Sequence, residues 1–313
     1  MIAFGPVPSR RLGKSLGVNN IPAKTCTYSC IYCQVGRTNV MTIKRKRFYS
    51  PQLVYREVKK RVEDILKKEC KIDYITFVPD GEPTLDINLG VEIELLKSLN
   101  IPIAVLTNAS LMWREDVRMD LLKADLVSIK IDAVSEELWK RINRPHPSLK
   151  LDEILDGILE FSREFKGVII TETMLINGFK YEKEAKEIAD FISKLKLAKA
   201  YIAIPTRPPA ESWVRPAKEE VINTVFQEFK KIIGDRVELL IGFEGVDFGY
   251  TGDIVKDLLS VISVHPMRRD AVEELLRRNG ASWSVIEELI RRGVIKEVKY
   301  GDYKYYIRKY RRY

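Results

Sequence analysis

From about residue 50 to residue 240 the chain alternates amphipathic helical segments with short apolar runs, and this alternation narrows the possible folds more than any other feature. Ser50-Pro51 opens the first helix: an N-cap, then a proline at the first helical position, where its missing N–H costs nothing. Leu53, Val54, Val58, Val62, Ile65 and Leu66 follow at helical spacing. Residues 74–78 read as a strand stopped by Pro79, and 103–106, 126–131, 168–176 and 201–204 read as further strands. Helices are expected near 91–99, 151–159, 182–195 and 218–233. With 16–21 as the first strand this makes about six β/α units. Helical crossovers return the chain to the same edge, so the sheet is expected to be parallel with helices outside. Six units predict an α/β fold with a partial (β/α)6 TIM-like barrel rather than a complete eightfold one.

The pattern changes after Gly252. Residues 254–261, 268–278 and 282–292 read as three helices, with Gly280 breaking the last pair and Ser282 placed to cap the third. Residues 294–300 and 303–307 flank Gly301-Asp302 as a hairpin. Three helices and a two-stranded wing are the order of a winged helix-turn-helix. The expected domains are therefore 1–252, a barrel with an N-terminal extension, and 253–313, a small winged-helix domain. No run of 18 apolar residues occurs, which argues against a membrane span. The N-terminus has no basic-then-apolar signal segment, so a cytoplasmic location is expected.

Four cysteines in 313 residues are a poor disulfide framework, yet three of them lie within eight positions, which points to a metal site. Cys26-Thr-Tyr-Ser-Cys30-Ile-Tyr-Cys33 follows the first expected strand directly. Thiolates are the usual ligands of iron–sulfur clusters. A structural zinc ion wants four ligands, and the other candidates, Cys70, His146 and His265, are distant in sequence. Cys70 reads as an ordinary thiol.

In its C-x3-C-x2-C spacing, and in Tyr32 just before the last cysteine, the chain resembles the radical S-adenosylmethionine (SAM) superfamily. The stretch Phe4-Gly5-Pro6-Val7-Pro8-Ser9-Arg10-Arg11-Leu12-Gly13-Lys14-Ser15-Leu16-Gly17, with Pro22-Ala23-Lys24-Thr25-Cys26, is similar to the subgroup of molybdenum-cofactor, nitrogenase-cofactor and wyosine-type tRNA-modifying enzymes. The resemblance implies that Cys26, Cys30 and Cys33 hold a [4Fe–4S] cluster whose fourth iron takes SAM. It implies reductive cleavage of SAM to methionine and a 5′-deoxyadenosyl radical, with the electron coming from an external donor such as ferredoxin or flavodoxin.

The same resemblance nominates further residues. Asp80-Gly81-Glu82-Pro83 stands where many relatives carry Gly-Gly-Glu, so Gly81 and Glu82 are candidates for the amino end of SAM; Asp80 departs from the pattern. Asn108 ends the third expected strand, placed to bond SAM or to support the cysteine loop. Arg144 would either clamp a carboxylate or form a surface ion pair. Glu172 is a candidate for the SAM ribose. Ser128, Lys130 and Asp132 share one face of a strand, facing either inward or outward. Residues 206–213 form a candidate substrate loop.

The net charge of +9 favours an anionic partner. Residues 254–313 hold 14 Lys and Arg against 8 Asp and Glu, and 303–313 interleave tyrosines with basic side chains. Such a surface pairs phosphates and stacks bases, although Glu287 and Glu288 on the third helix oppose it. The leading expectation is an enzyme modifying RNA, in particular tRNA, through the basic C-terminal domain. Modification of a small cofactor precursor or a peptide is the second reading, and an iron–sulfur DNA-binding sensor the third.

Overall fold

A computed structural model describes residues 1–78 and 80–309. Pro79 and the last four residues of the basic, tyrosine-rich tail, 310–313, lie outside the described residues.

The chain opens with β1 (Ala3–Ser9) antiparallel to β2 (Gly13–Val18), with Ala3 opposite Val18 and Ser9 opposite Gly13. The sequence conceals β1 because Pro6 and Pro8 interrupt it. The strand forms because it lies at the sheet edge, where the missing N–H groups need no partner. Two short strands follow, β3 (Thr25–Cys26) and β4 (Val40–Met41), paired only with each other. The helix α1 (Pro51–Leu66) begins as expected, its Ser50 hydroxyl accepting the Leu53 N–H.

Next come β5 (Tyr74–Phe77), a 3-10 turn at Pro83–Leu85, α2 (Leu89–Lys97), β6 (Ile103–Thr107), α3 (Glu115–Leu121) and β7 (Leu126–Lys130). The unit continues through α4 (Glu136–Asn143), α5 (Leu151–Glu164), β8 (Val168–Met174), α6 (Glu182–Ser193), β9 (Leu197–Ala203), α7 (Glu219–Ile233) and β10 (Val237–Leu240). These strands form one eight-stranded sheet in the order β1-β2-β5-β6-β7-β8-β9-β10, parallel from β2 to β10.

Seven parallel strands stand where six were expected. The missed one, β10, is four residues long with both middle residues only half-buried, so neither length nor alternation marks it. The sheet stays open between β1 and β10 and curls enough that Arg10, just after β1, donates to the Leu239 carbonyl of β10 at 2.7 Å. Leu12 is buried inside the curl with Leu126, Ile170, Tyr201 and Leu240. The helices cover the outer face and bury the main core against it. A partial α/β barrel results.

The C-terminal elements are α8 (Ile254–Ile262), β11 (Met267–Arg268), α9 (Arg269–Arg278), α10 (Ser284–Arg291), β12 (Ile295–Tyr300) and β13 (Tyr303–Arg308). The hairpin turns at Gly301 and Asp302 as expected, and the strands pair in the order β11-β13-β12. Ser282 does not cap α10. Trp283, the residue before the helix, already has helical backbone angles, and the Ser282 hydroxyl faces that of Ser284 at 2.5 Å instead.

These elements do not pack alone. Their apolar core includes Phe4 and Val7 of β1. Arg61 on α1 is buried, donating to the Gly5 carbonyl and pairing with the fully buried Asp257 of α8 at 2.8 Å. Among the described residues no helix is long and apolar enough to cross a membrane.

Candidate functional site

The cysteine loop is built on the end of a helix. The last carbonyls of α4 have no partners within the helix, and the loop supplies them. Ile31 N–H donates to the Ile142 carbonyl at 3.0 Å, and Ser29 N–H to those of Asn143 and Arg144 at 3.1 Å. Tyr28 packs edge-on to Trp139, accepting its indole N–H at 3.1 Å. On the other side, pairing of β3 with β4 sets Thr25 and Cys26 against Val40 and Met41.

Cys26, Cys30 and Cys33 all line one cavity of about 360 Å³, together with Tyr32, Gly81, Glu82, Asn108, Lys130 and Glu172. It opens at the C-terminal ends of the parallel strands, where active sites of such barrels sit. Burial pushes all three thiols up, Cys30 to about 12 with Asp132 adding to it. Thiols held this way need a bound metal to become thiolates. Among the described residues no three His, Cys, Asp or Glu side chains converge as the ligands of one metal ion would.

Gly81 is explained by sterics. A Cβ there would lie 1.8 Å from the Thr25 carbonyl oxygen, inside any allowed contact. The close approach lets Glu82 N–H donate to Thr25 O at 3.2 Å and Lys24 N–H to Asp80 O at 2.6 Å, tying this turn to the strand that presents Cys26.

The Glu82 carboxylate is buried and mostly satisfied from within. One oxygen accepts from the Thr84 hydroxyl and the Thr107 hydroxyl, both at 2.6 Å, and the other from Asn108 N–H at 2.7 Å. Burial still pushes its pKa up despite these donors. Asn108 supports the cysteine loop: its amide donates to the Thr27 hydroxyl at 2.8 Å and reaches Cys26 Sγ at 3.5 Å.

Ser128 and Lys130 face inward and line the cavity. Lys130 and Asp132 do not pair with each other. Lys130 Nζ lies 2.6 Å from Glu172, whose other oxygen pairs with Arg11. Burial opposes the Glu172 charge, yet Arg11 and Lys130 hold its pKa down to about 2. Both of its oxygens are thereby engaged. Asp132 instead takes the Tyr32 hydroxyl and, at 2.7 Å, the Asn143 amide. Arg144 does not line the cavity; it is exposed and pairs with Glu211, which Arg37 also holds.

The 206–213 loop divides. Thr206 and Arg207 line the cavity, Arg207 pairing with Glu244 at 2.6 Å, while Trp213 is turned out to solvent. The C-terminal elements form another wall. Gln34, next to Cys33, donates to the Val264 carbonyl at 2.8 Å, and Val264 and His265 line the cavity. Tyr300 and Tyr305 donate to the carbonyls of Pro205 and Thr206 at 3.0 and 2.8 Å. Burial and the neighbouring Arg207 hold His265 well below its ordinary range, so the imidazole is neutral.

Sequence reasoning gave no role of their own to Arg11 and Asn143, held Arg207 only as part of the 206–213 candidate loop, and weighed His265 only as a distant zinc ligand. Arg11 stood inside the quoted N-terminal stretch, and Asn143 beside Arg144. Nothing local marked His265 as a cavity residue, because it reaches the cavity through a long-range fold contact.

A family model described as the radical SAM superfamily matches residues 20–192. A UPF0026 protein of Methanocaldococcus jannaschii is 48% identical over 98% of this chain and 96% of its own length. A UPF0026 protein of Synechocystis sp. is 35% identical over 66% of this chain and 76% of its own length. Among solved structures, TYW1 with a lysine–pyruvate adduct bound has a TM-score of 0.53 at 17% identity, covering 69% of this chain and 73% of that one. A radical SAM methyltransferase from Sphaerobacter thermophilus has a TM-score of 0.54 at 15% identity, covering 72% and 66%. At such identities the likeness is one of fold.

Proposed function

Because this chain belongs to the radical SAM superfamily, we propose that it is an enzyme holding a [4Fe–4S] cluster on Cys26, Cys30 and Cys33 with SAM beside it. The observation that carries this is the convergence of all three thiols on the one cavity at the strand ends, with Glu82 and Asn108 beside them. Three thiols, rather than four, suit a cluster that keeps one iron for another ligand. When bound, the cluster and SAM supply reductive cleavage of SAM and a carbon radical able to take hydrogen from an unreactive C–H bond.

In this reading Tyr32 walls the cluster side of the cavity. Gly81 lets the turn close on Thr25, and the Glu82 oxygen that accepts only Asn108 N–H keeps a lone pair for an ammonium group. Glu172, neutralised by Arg11 and Lys130, orients those two cations rather than contacting a ribose directly. Arg144 is left out of SAM binding, its guanidinium being engaged by Glu211.

For the substrate, the geometry favours a small molecule. In this reading the cavity of about 360 Å³ has the cluster and SAM to hold, and a compact substrate fits beside them better than a bulky one. The elements from α8 to β13, which we read as a winged helix-turn-helix beginning near Gly252, spend two wing tyrosines on the barrel. The RNA reading keeps one supporting observation, the basic surplus of residues 254–313.

The experiment is anaerobic reconstitution with iron and sulfide, then dithionite and SAM, with 5′-deoxyadenosine measured with and without unmodified tRNA. Cleavage unaffected by tRNA supports the small-molecule reading. Cleavage stimulated by tRNA replaces it with the RNA reading. No cleavage by a protein with an intact cluster defeats the enzyme proposal and leaves a cluster-based sensor.

A further inference from the structure

We propose that Asn143 raises the reduction potential of the cluster on the cysteine loop through an N–H···S hydrogen bond to Cys30. This rests on the cluster reading above.

Asn143 is the last residue of α4 and is buried. Its backbone carbonyl receives Ser29 N–H, and its side-chain amide nitrogen lies 3.4 Å from Cys30 Sγ. The amide is not free to turn away. Asp132 Oδ2 takes one of its hydrogens at 2.7 Å, and Asp132 is itself fixed by Met174 N–H at 2.9 Å and by the Tyr32 hydroxyl. An amide nitrogen carries two hydrogens. With one committed to Asp132, the other points toward the sulfur and the Tyr32 oxygen, which is also 3.4 Å away.

The three cysteines differ in what donates to them. Cys26 faces the backbone N–H of Tyr28 as well as Asn108, and Cys33 faces those of Val35 and Gly36. At Cys30 the donor is the side chain of Asn143, since Tyr32 gives its one hydroxyl hydrogen to Asp132. Asn143 is therefore a donor that substitution can remove without rebuilding the loop backbone.

The physical consequence follows from charge. One-electron reduction places more negative charge on the cluster sulfurs, and an N–H aimed at a ligating sulfur stabilises that reduced form more than the oxidised one. Hydrogen bonds to the sulfurs are among the main determinants of such potentials. Asn143 is a positioning and tuning residue here, acting through Cys30.

The test compares wild type with Asn143→Leu, close in shape but without donors, and with Asn143→Ser. Each is reconstituted anaerobically and assayed for iron and sulfide. Each is then titrated against redox mediators with dithionite as reductant, the reduced cluster being followed by EPR. The expected result is a cluster content near wild type and a midpoint potential shifted to more negative values in both variants. An unchanged midpoint in a cluster-loaded variant overturns the proposal and leaves Asn143 a packing residue. Should neither variant retain a cluster, wild type carrying asparagine labelled with 15N in its side chain decides the matter by pulsed EPR. Nitrogen coupling that persists after Asn108→Ser is expected, and its absence overturns the proposal. A wild-type protein that binds no cluster would defeat the proposed function instead.

Discussion

A single methyl group added at position 81 tests how the cysteine loop is held. In Gly81→Ala the new Cβ would start 1.8 Å from the Thr25 carbonyl oxygen, and no real Cβ contact falls under 3.0 Å. The turn and the strand bearing Cys26 must therefore separate by at least about 1.2 Å. That movement stretches two backbone hydrogen bonds, Glu82 N–H to Thr25 O at 3.2 Å and Lys24 N–H to Asp80 O at 2.6 Å. Overpacking costs about 1–3 kcal/mol, and the two hydrogen bonds about 1 kcal/mol each. The total, roughly 3–5 kcal/mol, corresponds to a fall in Tm of several degrees for a chain of this size. Because the displaced strand ends at Cys26, the variant is also expected to bind less than its full complement of iron. The assay is thermal unfolding of the metal-free protein alongside iron content after reconstitution. If Gly81 served only to let SAM approach the backbone, the variant would keep wild-type Tm and iron and lose SAM affinity alone. That result would refute the steric reasoning.

Asp257→Ala strands the buried guanidinium of Arg61 with only the Gly5 carbonyl. Breaking a buried pair on one side costs about 3–5 kcal/mol, so a denaturant midpoint equal to wild type would contradict the reading. Glu172, with its pKa held down to about 2 against an ordinary 4.5, contributes stability that is present above pH 4.5 and lost as pH falls toward 2. The Tm gap between wild type and Glu172→Gln should accordingly close over that interval; a gap independent of pH would count against the ion-pair account. Replacing both Tyr300 and Tyr305 with phenylalanine removes the bonds to Pro205 and Thr206. A loss of about 2 kcal/mol is expected at about 1 kcal/mol per bond, with faster amide exchange confined to the 205–207 segment, and unchanged exchange there would show that the β12–β13 hairpin does not brace the loop.

Much of the architecture was legible because the signals were local. A proline-started helix, an apolar repeat at helical spacing and four strands of five or more residues announce themselves in a window of about a dozen positions. What escaped was whatever owed its existence to a neighbour. β1 carries two prolines and forms only because it is an edge; β10 is four residues long and forms only because β9 lies beside it. Ser282 looked like a cap, but the chain at Trp283 had already turned helical.

The same division runs through the site. By itself the sequence determined the three cysteines, their spacing and the strand ends that bring Gly81, Glu82, Asn108 and Glu172 toward one mouth, because ligand spacing and strand order are written along the chain. Tertiary structure decided the rest. It paired Arg144 with Glu211, engaged both oxygens of Glu172, brought Arg11, Arg207 and His265 to the cavity from elements far apart in sequence, and set Asn143 beside Cys30. It also seated the C-terminal elements against the barrel, through Phe4, Val7 and the Arg61–Asp257 pair. The reason is physical: a side chain's partner is fixed by where the sheet's curl and the packed helices put it, and no local pattern encodes that position.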